Sequence, residues 1–152
     1  MNIYKKHSNN RFVGWSCWHF EWCTKYRYKI FSLSQDKNLC SIFLKEGAKK
    51  YGFEILDLEV DRNHVHVIVS LPLTMNQIEA IGLLKGYTSH CLFKMLLRLK
   101  KVYPRGHLWS PGKFIGSVGH ITLEKAKQYI EEHHAKFLVL CIESMESYLV
   151  TK

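Results

Sequence analysis

With 152 residues, 47% of them hydrophobic and 13% aromatic, the chain can build one domain around a proper core. No apolar run approaches the roughly 18 residues that span a bilayer, the N-terminus Met1-Asn2-Ile3-Tyr4-Lys5-Lys6-His7 has no apolar segment behind its charges, and five cysteines without a CxxC pair exclude a disulfide framework and a zinc knuckle. A cytoplasmic protein with reduced thiols is expected, and the formal net charge of +9 selects an anionic partner, nucleic acid rather than membrane.

Alternation over residues 11–26 predicts a long first strand, with Phe12, Trp18, Phe20 and Trp22 on one face and Val13, Trp15, Cys17 and Cys23 on the other. An aromatic row of this kind could stack bases, but with both faces apolar its expected role is core packing. The spacing of Leu33, Leu39, Ile42, Phe43 and Ala48 predicts a helix over 34–51, stopped by Gly52. Residues 53–60 and 64–71 read as an antiparallel hairpin joined by the polar turn Asp61-Arg62-Asn63, with Pro72 ending the second arm.

Apolar residues from Ile78 to Leu99 predict one helix over 75–102, closed by Arg98, Lys100 and Lys101, whose charges suit a helix C-terminus. Gly82 and Gly86 lie one turn apart within it and suggest a close backbone approach. After the loop 103–106 and His107-Leu108-Trp109, residues 113–118 read as a fourth strand, and a last helix runs over 122–134 from Thr122 as N-cap. The order β-α-β-β-α-β-α is an α+β, ferredoxin-like split βαβ arrangement with one helix added at the C-terminus. The whole chain, 1–152, reads as a single domain. Residues 137–152, beginning Phe137-Leu138-Val139-Leu140-Cys141-Ile142, are too apolar for a free tail and are expected to pack on the domain or on a partner subunit.

The second hairpin strand carries Asn63-His64-Val65-His66-Val67-Ile68. Residues two apart on a strand share a face, so the two imidazoles can converge on one metal ion. A lone histidine in an apolar run is more often a hydrogen-bonded core residue. Burying two titratable rings side by side without a shared partner is costly, however, which is why the pair reads as half of a site. On the last helix, Tyr129 and His133 stand four apart and share a face, offering a phenol and an imidazole together. No Walker loop and no Gly-x-Ser-x-Gly elbow occurs, so neither nucleotide hydrolysis nor a serine nucleophile has a visible seat.

The segments Trp22-Cys23-Thr24-Lys25-Tyr26-Arg27, His64-Val65-His66, Leu84-Lys85-Gly86, His107-Leu108-Trp109-Ser110, Gly116-Ser117-Val118-Gly119 and Tyr129-Ile130-Glu131-Glu132 together resemble, in order and spacing, the single-tyrosine HUH transposases of small insertion sequences. The likeness covers about residues 11–136. It implies a homodimeric transposase that acts on single-stranded DNA with hairpin ends, cuts with a tyrosine, needs Mg²⁺ or Mn²⁺, and uses no nucleotide cofactor. Carried over, His64 and His66 match the metal-binding pair and Tyr129 the nucleophile. Where the family often has Gln four residues after the tyrosine, this chain has His133, an imidazole that favours Mn²⁺ over Mg²⁺ as third ligand. Lys25, Arg27, Lys29, Lys85, Arg105 and Lys113 are the expected phosphate contacts. Two other readings compete. One is a ferredoxin-like binding module that does not cut, and the other is a replication-initiator or relaxase nickase of the same chemistry.

Overall fold

The computed structural model describes residues 7–8, 13–119, 125 and 128. Two compact units divide the chain, residues 1–118 and 119–152, and the fold below is that of the first. Apart from residues 125 and 128, the expected last helix over 122–134 and the segment 137–152, with Tyr129 and His133, lie outside the described residues.

Two short pairs of residues, β1 (His7–Ser8) and β2 (Val13–Gly14), form an antiparallel ribbon. The main sheet holds β3 (Cys17–Cys23), β4 (Glu54–Val60), β5 (His64–Ser70) and β6 (Phe114–Ser117) in the order β4-β5-β3-β6. Both β3 and β4 run antiparallel to β5, so they are parallel to each other with β5 inserted between them. That is the split βαβ arrangement expected from the element order. Two helices, α1 (Ser34–Tyr51) and α2 (Gln77–Met95), supply the crossovers, and a short α3 (Leu99–Val102) follows.

Phe20 and Trp22 of β3 and Val65, Val67 and Val69 of β5 are essentially inaccessible, and they share one core with Cys40, Leu44 and Ala48 of α1 and Ala80, Ile81 and Leu84 of α2. The aromatic row of β3 is therefore packing, as expected. Trp109 meets Trp22 edge-on at 5.8 Å and donates its indole N–H to Thr88 Oγ1 at 3.1 Å, which ties the segment before β6 to α2. Among the described residues no helix is long and apolar enough to cross a membrane.

Helix α1 begins and ends where its sequence puts it, and Gly52 closes it at φ +81°, a left-handed conformation that glycine adopts without a Cβ penalty. Its buried face is rotated from the expected one: Leu33 and Ile42 are exposed, whereas Asp36 is buried. Arg98 explains this, because its guanidinium pairs with the Asp36 carboxylate and satisfies a charge that burial alone would not tolerate.

Three further expectations are corrected. The strand over 11–26 is instead a short β2, a break at residues 15–16, β3, and a tight turn at Lys25–Arg27. Ser16 spends its carbonyl on the Leu71 amide and its hydroxyl on the Trp18 indole, which fixes the break. The helix over 75–102 starts at 77 with Asn76 as N-cap and stops at Met95, with no glycine or proline to mark the stop. There Arg98 turns to reach Asp36 and the Ile30 carbonyl, and tertiary pairing overrides local preference. Among the described residues Gly82 and Gly86 make no close approach, since a Cβ at either position meets none of them within 4 Å. Gly82→Ala is accordingly expected to stabilise the fold by about 0.8–1 kcal/mol through helix propensity alone, read as a higher urea midpoint. A lower midpoint would mean that Gly82 serves a packing contact.

Candidate metal centre and nucleic-acid interface

Side chains alternate along a strand, so with Phe20 and Trp22 turned to the helices, His19, Glu21 and Cys23 of β3 occupy the opposite face. The register sets Glu21 beside His66 and Cys23 beside His64. On the flanking strands Glu59 pairs with His66 and Phe114 with Glu21. One face of the sheet is thus apolar under its helices, and the other gathers imidazoles and carboxylates in its middle.

Glu21, His64 and His66 each place one potential ligand atom within 4.8 Å of the others. The two histidines expected to share a face do so. Glu21 joins them from the neighbouring strand, and sequence reasoning had passed over it.

Each histidine is held by its neighbours. His64 Nδ1 lies 2.8 Å from Asn63 Oδ1. A protonated Nδ1 is what bonds an amide oxygen, and on the other side of the ring Nε2 stands 3.7 Å from Asp61 Oδ2. Asn63 also donates through Nδ2 to the Arg27 carbonyl at 3.3 Å, so it orients His64 from a fixed position. His66, 6% exposed, has its Nδ1 3.2 Å from His19 Nε2 and 3.8 Å from Glu21 Oε2. The His19 and His66 rings stack at 5.5 Å with 10° between their planes. Burial pushes the His19 pKa down to about 4, so at neutral pH His19 is an uncharged hydrogen-bonding partner that adds no repulsion toward a cation.

The six expected phosphate contacts fall into two groups at the end of the sheet where β3 finishes. Lys85, half-buried on α2, donates to the Ser110 carbonyl at 2.6 Å, and Ser110 in turn donates its amide to the Cys23 carbonyl at 2.9 Å. Burial, and then the like charge of exposed Lys113, lower the Lys85 pKa. Lys25, Arg27 and Lys29 follow β3 directly, and Lys25 and Arg105 line one cavity. The Lys25 amide donates to the Leu108 carbonyl at 2.8 Å, which anchors this turn against the segment that leads to β6.

A divalent cation fits the donor set of two imidazoles and one carboxylate, which suits Mn²⁺ better than an all-oxygen site would and still serves Mg²⁺ through the carboxylate.

Known proteins resemble this chain in sequence and in fold. The model of the family described as Transposase IS200 like matches residues 15–133. The ISDra2 transposase TnpA of Deinococcus radiodurans is 30% identical over 119 residues, 78% of this chain and 84% of that protein. The transposase for insertion sequence element IS200 of Salmonella typhimurium is 29% identical over 118 residues, 77% of this chain and 76% of that protein. Among solved structures, a candidate transposase from Deinococcus radiodurans R1 superposes with a TM-score of 0.68 at 26% identity, over 84% of this chain and 97% of the other. A REP-associated tyrosine transposase bound to a REP hairpin superposes with a TM-score of 0.51 over 74% of this chain and 62% of the other, and at 16% identity it speaks for the fold alone. The match over residues 15–133, most of the chain, carries the conclusion that this protein belongs to the IS200-like transposase family.

Proposed function

We propose that this transposase cuts and rejoins single-stranded DNA at hairpin-flanked insertion-sequence ends, with Tyr129 as nucleophile and Mg²⁺ or Mn²⁺ held by His64, His66 and a third donor, Glu21 or His133. The observation that carries the reading is the convergence of Glu21, His64 and His66 on one sheet face, at whose end the cations collect.

Held by His64, His66 and the third donor, a divalent ion would offset the charge of the scissile phosphate and help to orient it. Asn63 orients His64, and neutral His19 steadies His66. A phenol is a weak nucleophile while protonated, so Tyr129 has to give up its proton as it attacks. Its oxygen then bonds to phosphorus, the bond from phosphorus to the 3′ oxygen breaks, and that oxygen takes up a proton. The products are a 5′-phosphotyrosine and a free 3′-hydroxyl. One phosphodiester has replaced another, so attack by a different 3′-hydroxyl closes the strand without a nucleotide cofactor. A single tyrosine per chain makes one cut, and two ends require two, so the working form is a homodimer. Lys25, Arg27, Lys29, Lys85, Arg105 and Lys113 hold the phosphates on either side of the cut.

The deciding experiment is formation of an SDS-stable protein–DNA adduct on hairpin-bearing single strands in the presence of Mn²⁺. A ferredoxin-like module that only binds would retain the DNA and form no adduct. At the metal, Asn63→Ala is expected to weaken Mn²⁺ binding by about 10–100-fold in a calorimetric titration, the usual cost of losing a partner that orients a ligand. Unchanged affinity would remove Asn63 from the centre.

A further inference from the structure

The turn after β3 carries a feature that metal chemistry does not use. Tyr26 is 64% exposed and Tyr28 48% exposed, with their ring centroids 5.4 Å apart. Tyr28 stacks on Tyr103 at 5.8 Å, and Lys25 Nζ sits 5.4 Å from the Tyr26 centroid. Tyr26 and Tyr103 border a cavity of about 180 Å³ that Lys25, Pro104, Arg105 and His107 also line, and among the described residues no carboxylate lines it, whereas Tyr28 lines a neighbouring cavity with Lys29, Asp36 and Arg98.

The backbone beneath these rings is strained. Tyr26 and Arg27 adopt φ of +61° and +55°, left-handed values that cost a residue with a Cβ free energy and that glycine or asparagine would tolerate better. Surrounding bonds impose the conformation. The Arg27 amide donates to the Thr24 carbonyl, Thr24 Oγ1 to the Tyr28 carbonyl at 2.7 Å, Asn63 Nδ2 to the Arg27 carbonyl, and the Tyr103 hydroxyl to the Lys25 carbonyl at 3.0 Å. Strain kept in place by so many partners, under two tyrosines left in solvent, marks a functional surface.

We propose that Tyr26 and Tyr28 form a stacking shelf for an unpaired nucleobase of single-stranded DNA, with Lys25, Arg27 and Arg105 receiving its flanking phosphates. An aromatic face flanked by Lys25 and Arg105, at a cavity that no carboxylate of the described residues lines, suits a flat π-system carried on an anionic backbone, and suits an acidic peptide less well. Asn63 bonds both to Arg27 and to His64, so the seated base lies close in the chain of contacts to the metal ligands and would set how far from the cut it sits. This inference rests on the DNA reading above and adds to it a place for one base.

The test compares the full-length protein on two fluorescein-labelled oligomers of equal length and charge, oligothymidylate and the same backbone with abasic tetrahydrofuran units. Wild type is expected to prefer the oligomer with bases by about tenfold or more, and Tyr26→Ala, Tyr28→Ala and their combination to erase that preference, the scale expected for loss of base stacking. Tyr26→Phe should keep it. Tyr26→Gly separates binding from folding, since it relieves the left-handed strain: its melting temperature should stay level or rise while the preference is lost. Equal binding of both oligomers by wild type, or a preference that survives in the double variant, overturns the shelf and leaves the transposase reading standing. Failure of wild type to bind either oligomer at low salt also overturns the shelf, whereas the transposase reading falls only if hairpin-bearing strands form no adduct.

Discussion

Tyr129→Phe is expected to abolish the SDS-stable adduct altogether while leaving DNA retention intact. The substitution removes one oxygen, the atom that would become bonded to phosphorus, and keeps the aromatic ring. Loss of the nucleophile from a covalent mechanism costs on the order of a million-fold in rate, so strand cleavage should fall to background. The measurement is a denaturing gel with labelled oligonucleotides drawn from the ends of the element that encodes the chain, followed by mass spectrometry of the tryptic peptide that carries the nucleotide. An adduct that persists in Tyr129→Phe would assign the chemistry to another nucleophile. If wild type formed none with any end sequence in Mn²⁺, the active-enzyme reading itself would fall.

Where residues interact with chain neighbours, their sequence was sufficient. Helix α1 ends at Gly52 because a left-handed cap needs glycine, and the hairpin turns at Asp61-Arg62-Asn63 because polar turn residues separate two strand patterns. Period two placed His64 and His66 on one face without any knowledge of the partner strand. What remained hidden depended on distant partners. Glu21 reads as an isolated acid in an aromatic strand until the β3–β5 register brings it beside His66. Asp36 reads as an exposed first-turn residue until Arg98 arrives from beyond α2, and the same arginine ends the long helical pattern where no breaker stands. The left-handed turn at Tyr26 and Arg27 carries none of the usual signals, because Thr24, Asn63 and Tyr103 impose it from outside. A conformation that its own residues disfavour cannot be read from those residues.

His66→Ala carries the second large expected effect. It removes the most buried of the three donors and leaves Glu21 and His64 too few to hold a divalent ion, so Mn²⁺ binding should vanish from a calorimetric titration. An ion that stabilises phosphate charge contributes several kcal/mol, and adduct formation should fall by about a thousand-fold. EDTA on wild type should match that loss, and added Mn²⁺ should restore wild type but not the variant. The third donor is then decided by comparing Glu21→Gln with His133→Ala. Gln keeps the shape of Glu21 and removes the charge, so if the carboxylate is the ligand, Mn²⁺ affinity drops and the balance between Mg²⁺ and Mn²⁺ shifts toward Mn²⁺, because the hard oxygen anion that Mg²⁺ prefers has gone. If His133 is the ligand, its loss shifts the balance the other way, since an imidazole that favours Mn²⁺ has been removed. Full metal binding and full adduct yield in His66→Ala would place the ion elsewhere, and the shared face of His64, Glu21 and His66 would then be a hydrogen-bonded array that supports the sheet.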